Sequence, residues 1–159
     1  MAKKPKIKLK RTIGRFELID LPDLNLKDIP AKIDTGAYTS SIHCDKIQIV
    51  IKEGNKFLKA HFYSLSGKKK KKHILYFLEF EKKRIKNSFG KSEWRYVVKK
   101  KVKIFDELIE TDFSLSNRTN LKFPVLLGRK FLKGKFVVDV AKSNLNKKNK
   151  KITEYLTIN

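Results

Sequence analysis

From residue 45 to residue 64 the chain runs DKIQIVIKEGNKFLKAHFYS, with apolar and polar residues alternating on both sides of a Gly-Asn pair. A period of two sends successive side chains to opposite faces, which suits a half-buried strand and not a helix. We read this stretch as two strands turning about Gly54-Asn55. The same habit fills most of the chain. TIGRFELIDLP is a strand ending at Pro22, IPAKIDTGA a second strand entering a turn, and ILYFLEFEKKRI another strand. KNSFGKSEWRYVVKKKVKI forms a hairpin about a glycine, and LIETDFSLSN a strand and turn. FPVLLG is a short buried strand, GRKFLKG a helical turn or two, and KFVVDVA a closing strand. Helix-length periodicity is scarce and there is no internal repeat, so the expectation is one mainly β domain.

At 159 residues the chain is long enough for one real core and too short for two full protease lobes. It is 40% hydrophobic with eleven Phe, five Tyr and one Trp, more apolar material than a disordered chain of high charge carries. We place a basic extension at residues 1–12, the folded domain at 13–142, and a polar, basic, solvated tail at 143–159. The lysine run in LSGKKKKKH reads as a solvated loop kept extended by its own charge. One cysteine, Cys44, excludes an internal disulfide framework and fits a reducing compartment, and no apolar run approaches membrane-spanning length. The expected location is the cytoplasm, with no membrane partner.

Net charge is +23, carried mostly by lysine. Such a surface attracts polyanions, nucleic acid included, in a nonspecific and salt-weakened way. Biased composition in a chain rich in Lys, Asn and Ile explains the charge equally well.

Chemistry centres on PAKIDTGAYTSSIHC, residues 30–44. Asp-Thr-Gly alone is ordinary turn chemistry, because Asp caps local amides and Gly tolerates unusual backbone angles. An aspartic protease, however, needs a carboxylate at the end of a buried strand, a glycine where a second backbone approaches, and a hydroxyl that ties the turn. Asp34, Gly36 and Thr35 answer to those roles, with small Ala37 leaving space. Such enzymes also pass an apolar-apolar-Gly element beside the acid, followed by a short helix. PVLLGRKFL supplies Leu126, Leu127 and Gly128.

With those residues in place, the chain resembles the retropepsin-like proteins, and within them the bacterial group labelled ATP-dependent zinc proteases that accompanies RimK-type glutamate ligases. The resemblance spans about residues 13–142 and is carried, in order, by AKIDTGAYTSSIHC, KNSFGKSEWRYVV, SLSNRTNLKFPVLLGRKFL and FVVDV. It implies a closed retropepsin-like barrel with one short C-terminal helix, and Asp34 as half of a catalytic dyad. The only other Asp beside a Thr, Asp112, lacks the glycine, so the second carboxylate is expected from a second copy in a homodimer. Two carboxylates about 3 Å apart share one proton, one activating water while the other protonates the carbonyl. No cofactor or metal is needed. The sequence holds neither a phosphate-binding Gly-rich loop nor a His-Glu-x-x-His helix, and His43, Cys44, His61 and His73 have no ligand spacing.

The resemblance also implies a flap, placed at Ser88, Phe89 and Gly90 in NSFGKSEWRY. Arg95, Arg118 and Arg129 stand out in a chain that uses lysine almost everywhere for its positive charge, and a planar guanidinium suits bidentate carboxylate binding. Many retropepsins pair the arginine after the second glycine with an acid two places beyond the first motif. Here that place is Tyr38, leaving Arg129 to Asp139, Glu93 or a substrate carboxylate. The expected substrate is an acidic or glutamate-rich peptide or protein tail held by these arginines, with a RimK-type ligase as partner. Two other classes stay open: a non-catalytic polyanion-binding module on this fold, and a scaffold for a ligase.

Overall fold

The structure is a computed structural model and describes residues 2–3, 5, 8–66, 69–87, 89–117 and 122–150. Eleven strands dominate the described residues: β1 (Arg11–Ile13), β2 (Phe16–Leu21), β3 (Leu26–Ile33), β4 (Ser40–Lys52), β5 (Asn55–Ser66), β6 (Lys69–Phe77), β7 (Glu81–Lys86), β8 (Ser92–Ile104), β9 (Glu107–Ser116), β10 (Val125–Leu127) and β11 (Phe136–Val138). A short helix, α1 (Arg129–Leu132), follows β10. No helix among the described residues is long and apolar enough to cross a membrane.

Hydrogen bonds link nine strands in the order β10-β3-β2-β8-β9-β4-β5-β6, with β7 added beside β8, while β1 and β11 pair separately and in parallel. Strand β10 lies parallel to β3 and antiparallel to β4, so the first strand of the path also touches the sixth. Alternation decides what is inside: Ile19, Leu21, Ile42, Phe62, Phe113 and Leu127 are fully or almost fully buried. Phe131 of α1 stacks on Phe136 at 5.5 Å, fastening the helix to the closing strand.

Several local expectations need correction. The lysine run is not a loop: Lys69–Lys72 belong to β6 and pair in register with β5, their exposed side chains costing the strand little. ILYFLEFEKKRI is split between β6 and β7. The β4–β5 turn is centred one residue earlier than expected, on Glu53 (φ 50°) and Gly54 (φ 76°). The C-terminal segment is not simply solvated, because residues 145–150 are helical and Asn146 is 1% exposed. Its side chain accepts from the Phe105 amide at 2.8 Å, and its own amide donates to the buried carboxylate of Glu17 at 3.0 Å. That carboxylate also takes the Gly14 amide at 2.9 Å. Lys150 adds bonds to Asp20 and Asp28 at 3.1 and 3.2 Å.

Candidate active site

Asp34 follows the last residue of β3, where the neighbouring β10 ends too. Its amide donates to the Leu127 carbonyl at 2.9 Å, continuing the β3–β10 ladder one residue past the strand. Beyond it the chain turns: the Gly36 amide donates to Asp34 Oδ1 at 3.0 Å, and the Ala37 amide reaches the Asp34 carbonyl at 3.3 Å. The carboxylate is thereby oriented by the backbone of its own motif.

The second glycine element supports this turn from beneath. A Cβ on Gly128 would sit 2.8 Å from the carbonyl oxygens of both Ala37 and Tyr38, so only glycine lets the two backbones meet. Those carbonyls accept the first two amides of α1, Arg129 at 2.8 Å and Lys130 at 3.0 Å, which would otherwise lack partners at a helix start. The hydroxyl that ties the frame within this chain is not that of Thr35, which is exposed, but that of the buried Ser40, whose Oγ accepts the Gly128 amide at 3.0 Å. Sequence reading missed Ser40; its only signal was a serine pair beginning four residues after Gly36.

A cleft of about 580 Å³ opens over the acid, lined by Asp34, Gly36, Ala37, Tyr38, Leu126 and Arg129 below and by Arg84, Ile85, Lys86, Asn87 and Arg95 above. The upper wall comes from the β7–β8 hairpin. Its tip is built on Asn87, whose Oδ1 accepts the Phe89 and Lys91 amides, both at 3.0 Å, while Gly90 takes φ 79°. Phe89 is 90% exposed. Ser88 and Arg118 lie outside the described residues. Arg84 and Asn87 were not singled out from sequence, because they become cleft residues only through the register of β7 on β8. Among the described lining residues Asp34 is the only carboxylate, against three arginines and a lysine.

Arg129 and Arg95 both have partners within the chain. Arg129 Nη1 donates to the Thr35 carbonyl at 3.0 Å, and its guanidinium lies 5.8 Å from the centre of the Tyr38 ring. The aromatic ring thus occupies the place of the missing acid. Glu93 is engaged by Arg95, whose Nε donates to it at 2.7 Å, and Asp139 by Lys142 at 3.6 Å. A second cavity, of about 620 Å³, shares Asn87 and Arg95 with the first and adds Phe89, Glu93, Trp94 and Leu115.

Other polar groups are used elsewhere. Asp112 is paired with Lys130 outside the cleft. Burial alone would raise the Asp112 pKa, but the Lys130 hydrogen bond and charge outweigh it and hold the carboxyl below its ordinary value. Cys44 is fully buried, and burial, reinforced by Asp45, pushes its thiol up to about 12. His43 contacts Asp45 at 3.3 Å. Among the described residues no group of three or more His, Cys, Asp or Glu side chains could hold a metal ion.

Comparisons with known proteins agree with this geometry. A family model described as retropepsin-like aspartic endopeptidase RimB matches residues 12–149. A probable alpha-L-glutamate ligase of Desulfotalea psychrophila is 32% identical over 132 residues, which are 83% of this chain and 28% of that protein. Another, from Shewanella pealeana, is 31% identical over 134 residues, 82% of this chain and 29% of that one. The chain spans less than a third of the length of these curated relatives. A crystal structure of a protein of unknown function from Legionella pneumophila superposes with a TM-score of 0.66 at 26% identity, covering 86% of this chain and 98% of the other. A matching model over nearly the whole chain, together with an Asp-Thr-Gly turn seated on a glycine-ended strand, makes this protein a member of the RimB-like family of retropepsin-like aspartic endopeptidases.

Proposed function

We propose that the protein is an aspartic peptidase that works as a homodimer on acidic, glutamate-rich peptides or protein tails. The observation that carries the reading is the cleft: one oriented carboxylate, Asp34, surrounded by Arg84, Lys86, Arg95 and Arg129. A single carboxylate cannot serve as both base and acid, and the described lining offers no second one, so each chain would contribute its Asp34 to a shared dyad. In this reading one Asp34 takes a proton from water as it attacks, and the other donates to the carbonyl oxygen. Collapse of the tetrahedral species then breaks the C–N bond as the amine is protonated. The pairing of β10 with both β3 and β4 supports a closed barrel as the frame of this dyad.

The basic walls favour an anionic substrate by simple charge complementarity. Arg95 is held by Glu93 in the free chain, and a glutamate side chain of substrate has the same headgroup with which to replace it. The names of the two relatives favour a companion reading, in which the domain acts beside a glutamate ligase and removes or limits what that ligase adds. Cleavage of oligoglutamate and of neutral peptides of equal length, by wild type and by Asp34→Asn across a salt series, tests the proposal. Preference for oligoglutamate that fades with salt, and loss of all cleavage in the folded Asp34→Asn protein, is the expected result. Cleavage retained by Asp34→Asn contradicts the mechanism, and equal cleavage of neutral peptides at every salt contradicts the substrate class.

A further inference from the structure

Strands β4, β5 and β6 pair side by side at the end of the sheet path, and the register assigns their two faces. Leu58, Ala60 and Phe62 of β5, with Leu75 and Phe77 of β6, turn inward and are buried. The other face carries Phe57, Lys59, His61 and Tyr63 of β5, opposite Lys72, Ile74 and Tyr76 of β6 and Val50 of β4. Tyr76 is 41% and Ile74 46% exposed.

Lysines and rings interleave on this outer face. Lys52 and Lys59 lie 4.3 and 5.9 Å from the centre of the Tyr76 ring, and Lys70 lies 4.3 Å from that of Tyr63. Phe57 meets Tyr76 edge-on at 6.5 Å. His61, between the two tyrosines, has its pKa lowered by burial first and then by Lys72, Lys59 and Lys46, with Asp45 acting in the opposite direction. Strands β5 and β6 contain no acidic residue; Asp45 of β4 is engaged by His43, and Glu53 sits in the turn. None of these residues lines the Asp34 cleft.

Lysines on the end strand of a sheet commonly serve to prevent edge-to-edge pairing. That accounts for Lys69–Lys72 but not for Tyr76 and the half-buried Tyr63 on the outer face, with ammonium groups resting over both rings. From the register and rise, Tyr63 and Tyr76 stand roughly 14 Å apart along the sheet. A sheet face with spaced aromatic platforms between cations is the arrangement that stacks unpaired bases and neutralises the phosphates joining them. An acidic peptide would use the lysines and leave the rings idle.

We infer that the outer face of β4–β6 binds single-stranded nucleic acid, with bases stacked on Tyr63 and Tyr76 and phosphates held by Lys52, Lys59, Lys70 and Lys72. The lysines then swing from the ring faces to the phosphates as bases take their place. This is a binding function separate from peptide hydrolysis, and its residues lie on a different part of the chain.

Fluorescence anisotropy of a labelled oligouridine, titrated with the protein over a salt series, tests the inference. Tyr63→Leu and Tyr76→Leu are each expected to weaken binding about tenfold, as lost base stacking does, without changing the salt slope. Lys59→Gln with Lys72→Gln is expected to flatten the slope by about 0.7 per lysine. Lys101→Gln with Lys103→Gln, exposed positions on β8, should leave affinity near wild type. Unchanged affinity in the folded tyrosine variants overturns the inference, as does an equal loss from the β8 pair, which would mean charge alone. Should a tyrosine variant fail to fold, the two lysine pairs decide between site and bulk charge. Oligoglutamate displacing oligouridine at equal concentration would assign the face to acidic peptide instead, and no binding at moderate salt would also refute it.

Discussion

Gly128→Ala puts the geometry of the candidate active site to a quantitative test. Gly128 has φ −94° and ψ −178°, which any residue adopts, so the substitution acts through space alone. The added methyl would lie 2.8 Å from two carbonyl oxygens and 3.0 Å from the Tyr38 carbonyl carbon, all backbone atoms with no rotamer to change. The 37–38 segment must move away, which weakens the Arg129 and Lys130 amide bonds to it. Overpacking together with two compromised hydrogen bonds costs about 2–4 kcal/mol. Gly36→Ala is the internal comparison: its nearest neighbour is Asp34 Oδ1 at 3.2 Å and its φ is not positive, so stability should change by less than about 1 kcal/mol. That methyl nevertheless crowds the carboxylate and should depress peptide cleavage. Urea unfolding of both variants, with cleavage assayed on the same preparations, gives the answer. If Gly128→Ala unfolds within about 0.5 kcal/mol of wild type and retains full activity, the close approach of the two backbones is not what holds Asp34 in place.

Three further outcomes follow from groups outside the cleft. Cys44, buried with its thiol pushed up to about 12, should resist thiol reagents at neutral pH in the native protein and react at once in denaturant; rapid native labelling would contradict its burial. The Asp112 pKa is lowered in the fold, so its contribution is complete above the ordinary aspartate range near 3.9 and is lost as pH falls through the lowered value. Lys130→Met should cost about 1 kcal/mol at neutral pH, the lysine being 44% exposed, and should shrink that acid-dependent loss, read from melting temperature against pH. Asn146→Ala removes the acceptor of the Phe105 amide, and about 2 kcal/mol in urea unfolding is expected, whereas a solvated tail would give no change.

The site was legible where local chemistry and fold need coincide. Asp34, Gly36, Ala37, Leu127 and Gly128 could be named because a strand-ending acid and a glycine at a backbone crossing leave a written trace. Long-range pairing leaves none: Arg84 joins the cleft only through the β7–β8 register, and Asn146 contacts Glu17 from 129 residues away. The turn between β8 and β9 was equally hidden, because Phe105 and Asp106 both take positive φ, 49° and 62°, without a glycine to announce it. The lysine run misled because charge density masks period. In β6 the alternation is visible only from His73 onward, while the lysines before it stay exposed on both faces. Tyr38 was flagged as the replaced acid, but nothing in the sequence told that its ring would sit beside Arg129.

The central claim, that two copies of Asp34 form one catalytic centre, is tested most directly by titrating Asp34→Asn protein into a fixed amount of wild type, under conditions where subunits exchange, and measuring cleavage. A shared dyad predicts that activity falls as the inactive partner is added, because mixed dimers carry one carboxylate and one amide. Activity proportional to wild-type concentration, and indifferent to any excess of Asp34→Asn protein, would contradict it.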